Sequence, residues 1–431
     1  MGGLKTIVTA LCADSGRCKK AERSTVSPRL RRGISKMLRY RLLLWPAALA
    51  VLAVQPLLAA TVQVGGCKPN LANYPTISAA VTGVPSGSTI DVCPGTYAEQ
   101  VTITKSLNLT GVASGTADQA VITVPSGGLV SNAMSMFGES VAAQIGVVST
   151  VPVTVNITNV AVDGTGGDMS CLLWLAGIFY GSGSSGTVNR VRASGQIDGT
   201  CGVGIWAENA NSQSQSVTVQ NSTVYNVDSA GIFAGSGTTP TLAANLTNNV
   251  VNASAAVAAI DSDSVQGKVN GNTTSNSVFG VYDLSSIPVQ GNTITFATTA
   301  GIYMANGGTA SSNLVSGSSE GVLLGGAGAT LTNNDIMTST TAGVEMGCFS
   351  ATLNNNLIND APVGVDAAPL TVGLGSTTFA NTATTFTNGC GFAAVAARTA
   401  LASGTALVTA PRSNSSEQWH TPATPFGTRT K

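Results

Sequence analysis

Histidine is almost missing from this 431-residue sequence. The only one, His420, lies near the end in the polar stretch 413–431. A body without histidine excludes Ser-His-Asp and Cys-His hydrolysis and His-based zinc sites. Charge is scarce too, at 9% of residues, against roughly 25% in an ordinary soluble protein. Aromatic residues make up only 5%. The formal net charge of zero hides an asymmetry: residues 1–60 hold 11 Lys/Arg and 2 Asp/Glu, and residues 61–431 hold 9 and 18. A Lys-poor, mildly acidic body is a poor partner for phosphate backbones, so no nucleic-acid partner is expected. Only one long apolar run occurs, which excludes a polytopic membrane protein. No Cys-x-x-Cys spacing occurs either, which weakens a thiolate metal site.

What is present begins with an address. Leu42–Leu58 is apolar, follows Arg39 and Arg41, and leads into Leu58-Ala59-Ala60. That is the order of a secretory signal. Met37 is the expected start of translation, and the mature chain is expected to begin near Thr61. Residues 1–60 are therefore read as a leader, with no membrane span once it is cleaved. The expected location is secreted, periplasmic or on the cell surface. Six of the eight cysteines lie beyond the leader: Cys67, Cys93, Cys171, Cys201, Cys348 and Cys390. An even number in an exported chain suggests disulfides, with sequential pairing the simplest of 15 connectivities.

The body repeats itself. Gly followed by Ile or Val recurs at Gly177, Gly204, Gly231, Gly280, Gly301, Gly321, Gly343 and Gly364, with Ala259-Ile260 filling the one gap. A second marker runs in phase at Asn221, Asn249, Asn272, Asn292, Asn313, Asn334 and Asn356. Each unit holds short segments of period two, separated by Gly, Asn and Ser, and none has a helical period. Three short strands in about 21 residues make one rung of a parallel β-helix, with rungs stacked at roughly 4.8 Å. The Ile and Val positions are read as inward, and the asparagines as a stack of bonded amides.

Ahead of the repeats, Ile77, Ala80, Val81 and Val84 have helical spacing. The segment 87–111 follows, with Pro94-Gly95-Thr96-Tyr97 and then Glu99, Val101 and Ile103. Here the chain resembles the pectin-lyase-like right-handed parallel β-helix superfamily, over roughly residues 73–369. The fold expected is all-β, a single-stranded right-handed parallel β-helix with a short N-terminal capping helix. It is placed at 61–397, followed by a C-terminal cap remnant and disordered tail at 398–431.

Alternation then picks out a column facing away from the core: Phe179, Trp206, Phe233, Asp261, Tyr282, Tyr303, Leu323, Glu345 and Asp366. The resemblance puts this strand on the sheet that floors a substrate groove. Phe179, Trp206, Phe233, Tyr282 and Tyr303 are therefore the candidate substrate-binding residues, a platform for sugar rings. Stacked aromatics that merely stabilise the fold are the alternative, as are loops covering the face.

Carboxylates share the column and its neighbour. Asp261, Asp263 and Asp283 are the candidate metal ligands, with calcium the candidate cofactor and Lys268 the candidate catalytic base. Family pectate lyases hold calcium on Asp and use Arg or Lys to remove a proton. Glu208 falls in register with Asp263. Strict alternation turns Asp283 inward unless the strand ends there. Arg190 and Arg192 occupy an earlier rung. Glu345 and Asp366 are one rung apart, a spacing compatible with glycoside hydrolysis. Asp163 is read as a turn residue, and Asp168 as a solvent or calcium contact or a turn residue. The sequence departs from the enzyme members, however. Arg-x-Pro-x-x-Arg, Gly-His-Gly, Asn-Thr-Asp, Asp-Asp, Gln-Ala-Leu-Arg and Asp-Phe-Ile-Phe-Gly are all absent. The reading favoured is an exported, non-catalytic protein that binds polysaccharide or cell-surface glycan or serves as an adhesin-like scaffold. A calcium-dependent lyase of uronic-acid polymers is the alternative.

Overall fold

Three short strands and three turns make each rung, and the turns explain the sequence period. In one rung Gly308–Ser311 lies on a first sheet, Leu314–Ser316 on a second and Glu320–Leu324 on a third. The next rung places Ala329–Thr332, Asp335–Met337 and Ala342–Glu345 directly beside them. A computed structural model describes residues 58–112, 120–167, 170–239, 241–253, 256–366 and 372–387. Within these the three sheets contain 13, 12 and 13 strands, parallel throughout their stacking order. The protein is a right-handed parallel β-helix, the hand that parallel crossovers adopt. Residues 1–57 of the expected leader lie outside the described residues, as do Asp168, Cys390 and the expected tail. Among the described residues no helix is long and apolar enough to cross a membrane.

The asparagine stack forms between the first and second sheets, where the chain must bend in two residues. The first of the two takes a left-handed conformation, at Asn248, Gly271, Gly291, Ser312, Asn333 and Asn355. The second is the buried asparagine. Asn313 shows the pattern: its Nδ2 donates to the Asn334 side-chain carbonyl at 2.9 Å and to the Val289 carbonyl at 2.9 Å. Its Oδ1 accepts from the Asn292 backbone and side-chain amides at 3.0 and 2.9 Å. Each amide thus satisfies backbone groups that the bend takes out of the sheet. Asn221 is not part of this stack. It takes the left-handed position, and Ser222 follows it in the buried one, accepting from Val191 N–H. The periodic marker was one residue out of phase there.

The Gly–Ile signature has a steric cause. A Cβ at Gly301 would run into the Val315 side chain and the Gly321 carbonyl, and Gly321 and Gly343 are equally confined by Ile336 and Ile358. Glycine lets the corner close onto the core. Ile302, Val322 and Val344 then follow it inward. Two consecutive inward positions make a local bulge, so the residue before each glycine faces out.

The N-terminal end is covered by the helix Ile77–Gly83, which buries Ile77, Ala80 and Val81. Thr76 Oγ1 accepts from Ala79 N–H at 3.0 Å. The Glu99 carboxylate accepts from Ile77 and Ser78 N–H, both at 2.9 Å. The first rung therefore caps the helix that covers it. Disulfides join Cys67 to Cys93 and Cys171 to Cys201, as sequential pairing expects. Cys348 is disulfide-bonded as well.

Replacing Asn313 with Ala strands the amides of Asn292 and the carbonyl of Val289. At roughly 1–3 kcal/mol for each unsatisfied buried group, urea unfolding is expected to show a loss of at least about 2 kcal/mol. The exposed Thr309→Ala is expected to stay within about 0.5 kcal/mol of the parent.

Candidate functional site

The outer face of the third sheet carries the column read from sequence, and the register confirms every step. Phe179 pairs with Trp206, Trp206 with Phe233, Phe233 with Asp261, and Asp261 with Tyr282. Tyr282 pairs with Tyr303, Tyr303 with Leu323, Leu323 with Glu345, and Glu345 with Asp366. The side chains point away from the main core, as expected.

They are not an open platform. Phe179 and Trp206 are 0% exposed, Phe233 1%, Tyr282 2% and Tyr303 4%. Two apolar clusters on this face account for it. The first packs Phe179, Trp206 and Phe233 over Ala176, Val203 and Ala230, with Met136 and Trp174 against them. Edge-on contacts join Trp174, Phe179 and Phe233 to Trp206 at 5.4–5.7 Å. The second packs Phe279, Tyr282 and Tyr303 over Ala258 and Ala300. The two tyrosine rings stack at 4.7 Å and 14°. Small residues one column over leave room for the rings to pack against one another. The sequence reading missed Phe279, which precedes Gly280 and faces out because of the bulge. It also missed Met136, Phe137 and Trp174, which lie where no repeat is readable. The alanine column at 230, 258 and 300 was the available signal.

The candidate calcium set does not assemble. Among the described residues no three His, Cys, Asp or Glu come together in a group able to hold a metal ion. Asp261 and Asp263 sit on the third sheet, with Asp261 1% exposed. Asp283 follows the inward position of Ser262 and Met304. It accepts from Ser262 Oγ at 2.8 Å and Ser285 N–H at 2.9 Å. It therefore serves the turn, as strict alternation indicated, and is not a ligand beside Asp261.

Lys268 is also misplaced for its expected role. The chain leaves the third sheet after Asp263, turns at left-handed Ser264, and enters the first sheet with Gln266–Asn270. Lys268 is exposed there, opposite Asn245. Arg192 Nη1 donates to Tyr225 on the second sheet at 3.0 Å, and Arg190 occupies a left-handed turn. No step through calcium or a lysine base follows from this arrangement.

What remains is a set of carboxyl groups that burial pushes toward the neutral form. Burial holds Asp261 well above the usual range, with Asp263 and Asp283 adding to the effect. Its Oδ1 is buried without a hydrogen-bond partner. Burial pushes Asp283 up to about 6 against its hydrogen bonds, and Glu208 up to about 8. Glu208 Oε2 accepts from Trp206 Nε1 at 2.9 Å, and its column continues through Gly235 to Asp263 as expected. Glu345 is raised by burial, with Asp366 on the next rung contributing. Glu345 accepts from Gly347 N–H, and Asp366 from the Thr387 hydroxyl. Asp163 accepts from Thr165 N–H at 3.0 Å, which is the turn role.

No protein-family profile matches the chain, and no curated protein does. Among solved structures, it is similar to the A-module of a mannuronan C-5 epimerase from Azotobacter vinelandii. The identity is 16% and the TM-score 0.47, over 70% of this chain and 87% of that one. It is also similar to a pectin methylesterase from Aspergillus niger, with 13% identity and TM-score 0.35 over 76% and 86%. A third likeness is to a surface protein and adhesin of Streptococcus pneumoniae, with 14% identity and TM-score 0.36 over 72% and 93%. At such scores the likeness carries no functional argument.

Trp206→Ala is expected to behave as a core truncation, costing about 3–5 kcal/mol in urea unfolding. A pH series tests the buried acids. A carboxyl raised in the fold holds its proton more tightly when folded. Its contribution is therefore full below its ordinary 3.8 and lost as pH rises through about 6. Asp283→Asn is expected to flatten that part of the stability profile.

Proposed function

We propose that this chain is a non-catalytic β-helix scaffold that acts outside the cell and meets polysaccharide or cell-surface glycan. One observation carries the reading: the face on which a substrate groove was expected is packed with the protein's own rings. The acid, base and metal-holding groups of the lyase alternative are meanwhile dispersed over two sheets. Catalysis needs its groups converged on one reacting centre, and packed rings leave no room for a sugar.

The remaining outer surface suits a neutral, polar partner. On the first sheet Thr158, Asn189, Gln220, Thr247, Asn270 and Gln290 succeed one another in register. Amides and hydroxyls at one-rung spacing donate to and accept from sugar hydroxyls without charge. The disulfides fit an oxidising location.

The test pairs two measurements on the full chain. In calcium-supplemented absorbance assays on pectate and alginate, no unsaturated product is expected. In sedimentation with insoluble neutral polysaccharides, protein is expected in the pellet. Product that disappears with chelator and with Lys268→Ala would replace this reading with the lyase. Absence of both product and sedimentation would remove the glycan partner.

A further inference from the structure

One segment breaks the rung pattern over the aromatic face. Between strands Ala120–Thr123 and Ser140–Val147 the chain makes a long excursion, and Ala133–Met134 folds back antiparallel on Ser140–Val147. No other antiparallel pair occurs among the described strands. The base of this hairpin is tied by neutral side chains. Gln100 Nε2 donates to the Val130 carbonyl at 2.7 Å, and its Oε1 accepts from Val130 N–H at 3.1 Å. Asn132 brackets Ala143 in the same way, at 3.0 and 2.9 Å. The tip is a tight turn in which Ser135 Oγ accepts from Phe137 and Glu139 N–H, both at 3.2 Å.

The tip lies on the first aromatic cluster. Met136 packs with Phe179, Trp206 and Phe233, and the Phe137 ring sits 6.4 Å from that of Phe233. Gly235 admits the contact, since a Cβ there would meet both the Met136 methyl and the Phe233 ring. Glu208 joins floor to tip. Its carboxyl accepts from Trp206 Nε1 below and from the Met136 backbone N–H above.

We propose that the Ala133–Val147 hairpin is a strap over the aromatic face, and that the Glu208 carboxyl is the latch that holds its tip against Trp206 and Phe233. The latch is protonic. No Lys, Arg or His occurs in strands Trp174–Tyr180, Gly202–Asn209 and Ala230–Ser236 or in residues 129–147. The carboxylates in reach of its column are Asp263, two rungs on, and Glu139, exposed on the strap. Tyr180 faces the main core. Burial, not a neighbouring charge, raises Glu208 to about 8 from 4.5. A carboxyl that closes neutral and opens ionised takes up one proton on closing. The closed state has its full advantage below 4.5. The closed-to-open ratio then falls about tenfold per pH unit until the pH passes the closed-state value.

Residue-resolved hydroxyl-radical labelling of the full chain, read by mass spectrometry between mildly acidic and alkaline pH, tests this. Labelling of Trp206 and Met136 is expected to rise with pH in the parent and to stay flat in Glu208→Gln, which keeps the acceptor but cannot ionise. Tyr180, buried in the main core, is the internal reference and is expected to stay protected throughout. A flat parent profile would overturn the proposal, and so would a rise that persists in Glu208→Gln. Should Glu208→Gln not fold, the parent alone decides. Trp206 rising while Tyr180 stays protected supports the strap, and the two rising together is global unfolding and refutes it.

Discussion

Register between rungs is the constraint from which the rest follows. A parallel β-helix repeats each position at the strand spacing, so a residue type that recurs in sequence becomes a column in space. Two devices hold that register here. Gly280, Gly301, Gly321 and Gly343 bring a corner against the core where no Cβ fits. The amides from Asn249 to Asn356 pass hydrogen bonds from rung to rung while satisfying the bent backbone. Hydrophobic columns stabilise the stack, and the asparagines specify it, because a slipped rung would leave amides and carbonyls unpaired.

The same repetition closes the outer face. Rings one rung apart are near enough to pack, edge-on around Trp206 and face to face at Tyr282 and Tyr303, and the small residues beside them complete two apolar clusters outside the barrel of the helix. Carboxyls caught in these columns lose water without gaining a cation. Glu208 and Asp261 are accordingly held toward the neutral form, as burial also holds Asp283 at the adjoining turn.

Much of the fold was legible because it is periodic. Gly301-Ile302 and its equivalents located the third sheet, and counting one residue further gave the whole outward column in the correct register. The helix Ile77–Gly83 was legible from its apolar spacing. Three things were not. Asn221 resembles the other asparagines, but Ser222 occupies the buried position, and only the turn geometry separates them. Phe279 was hidden because two consecutive inward residues break strict alternation at the glycine. Openness of the face was illegible because the hairpin over its first cluster has no period, and a sequence column says which way a side chain points, not what lies above it. Lys268 illustrates the same limit. Five residues from Asp263 in sequence, it lies on another sheet because a left-handed residue turns the chain between them.

The central claim is that the outward rings of the third sheet are core and not platform. Spectrophotometric titration of the tyrosines tests it directly, with Tyr282→Phe and Tyr303→Phe identifying their share of the signal. Burial raises both phenols above the ordinary 10.0, so their phenolate absorbance is predicted to appear only at higher pH, together with loss of the β-sheet circular dichroism signal. Reversible ionisation of either ring near the ordinary value, with the fold intact, would contradict the account and reopen the face as a binding surface.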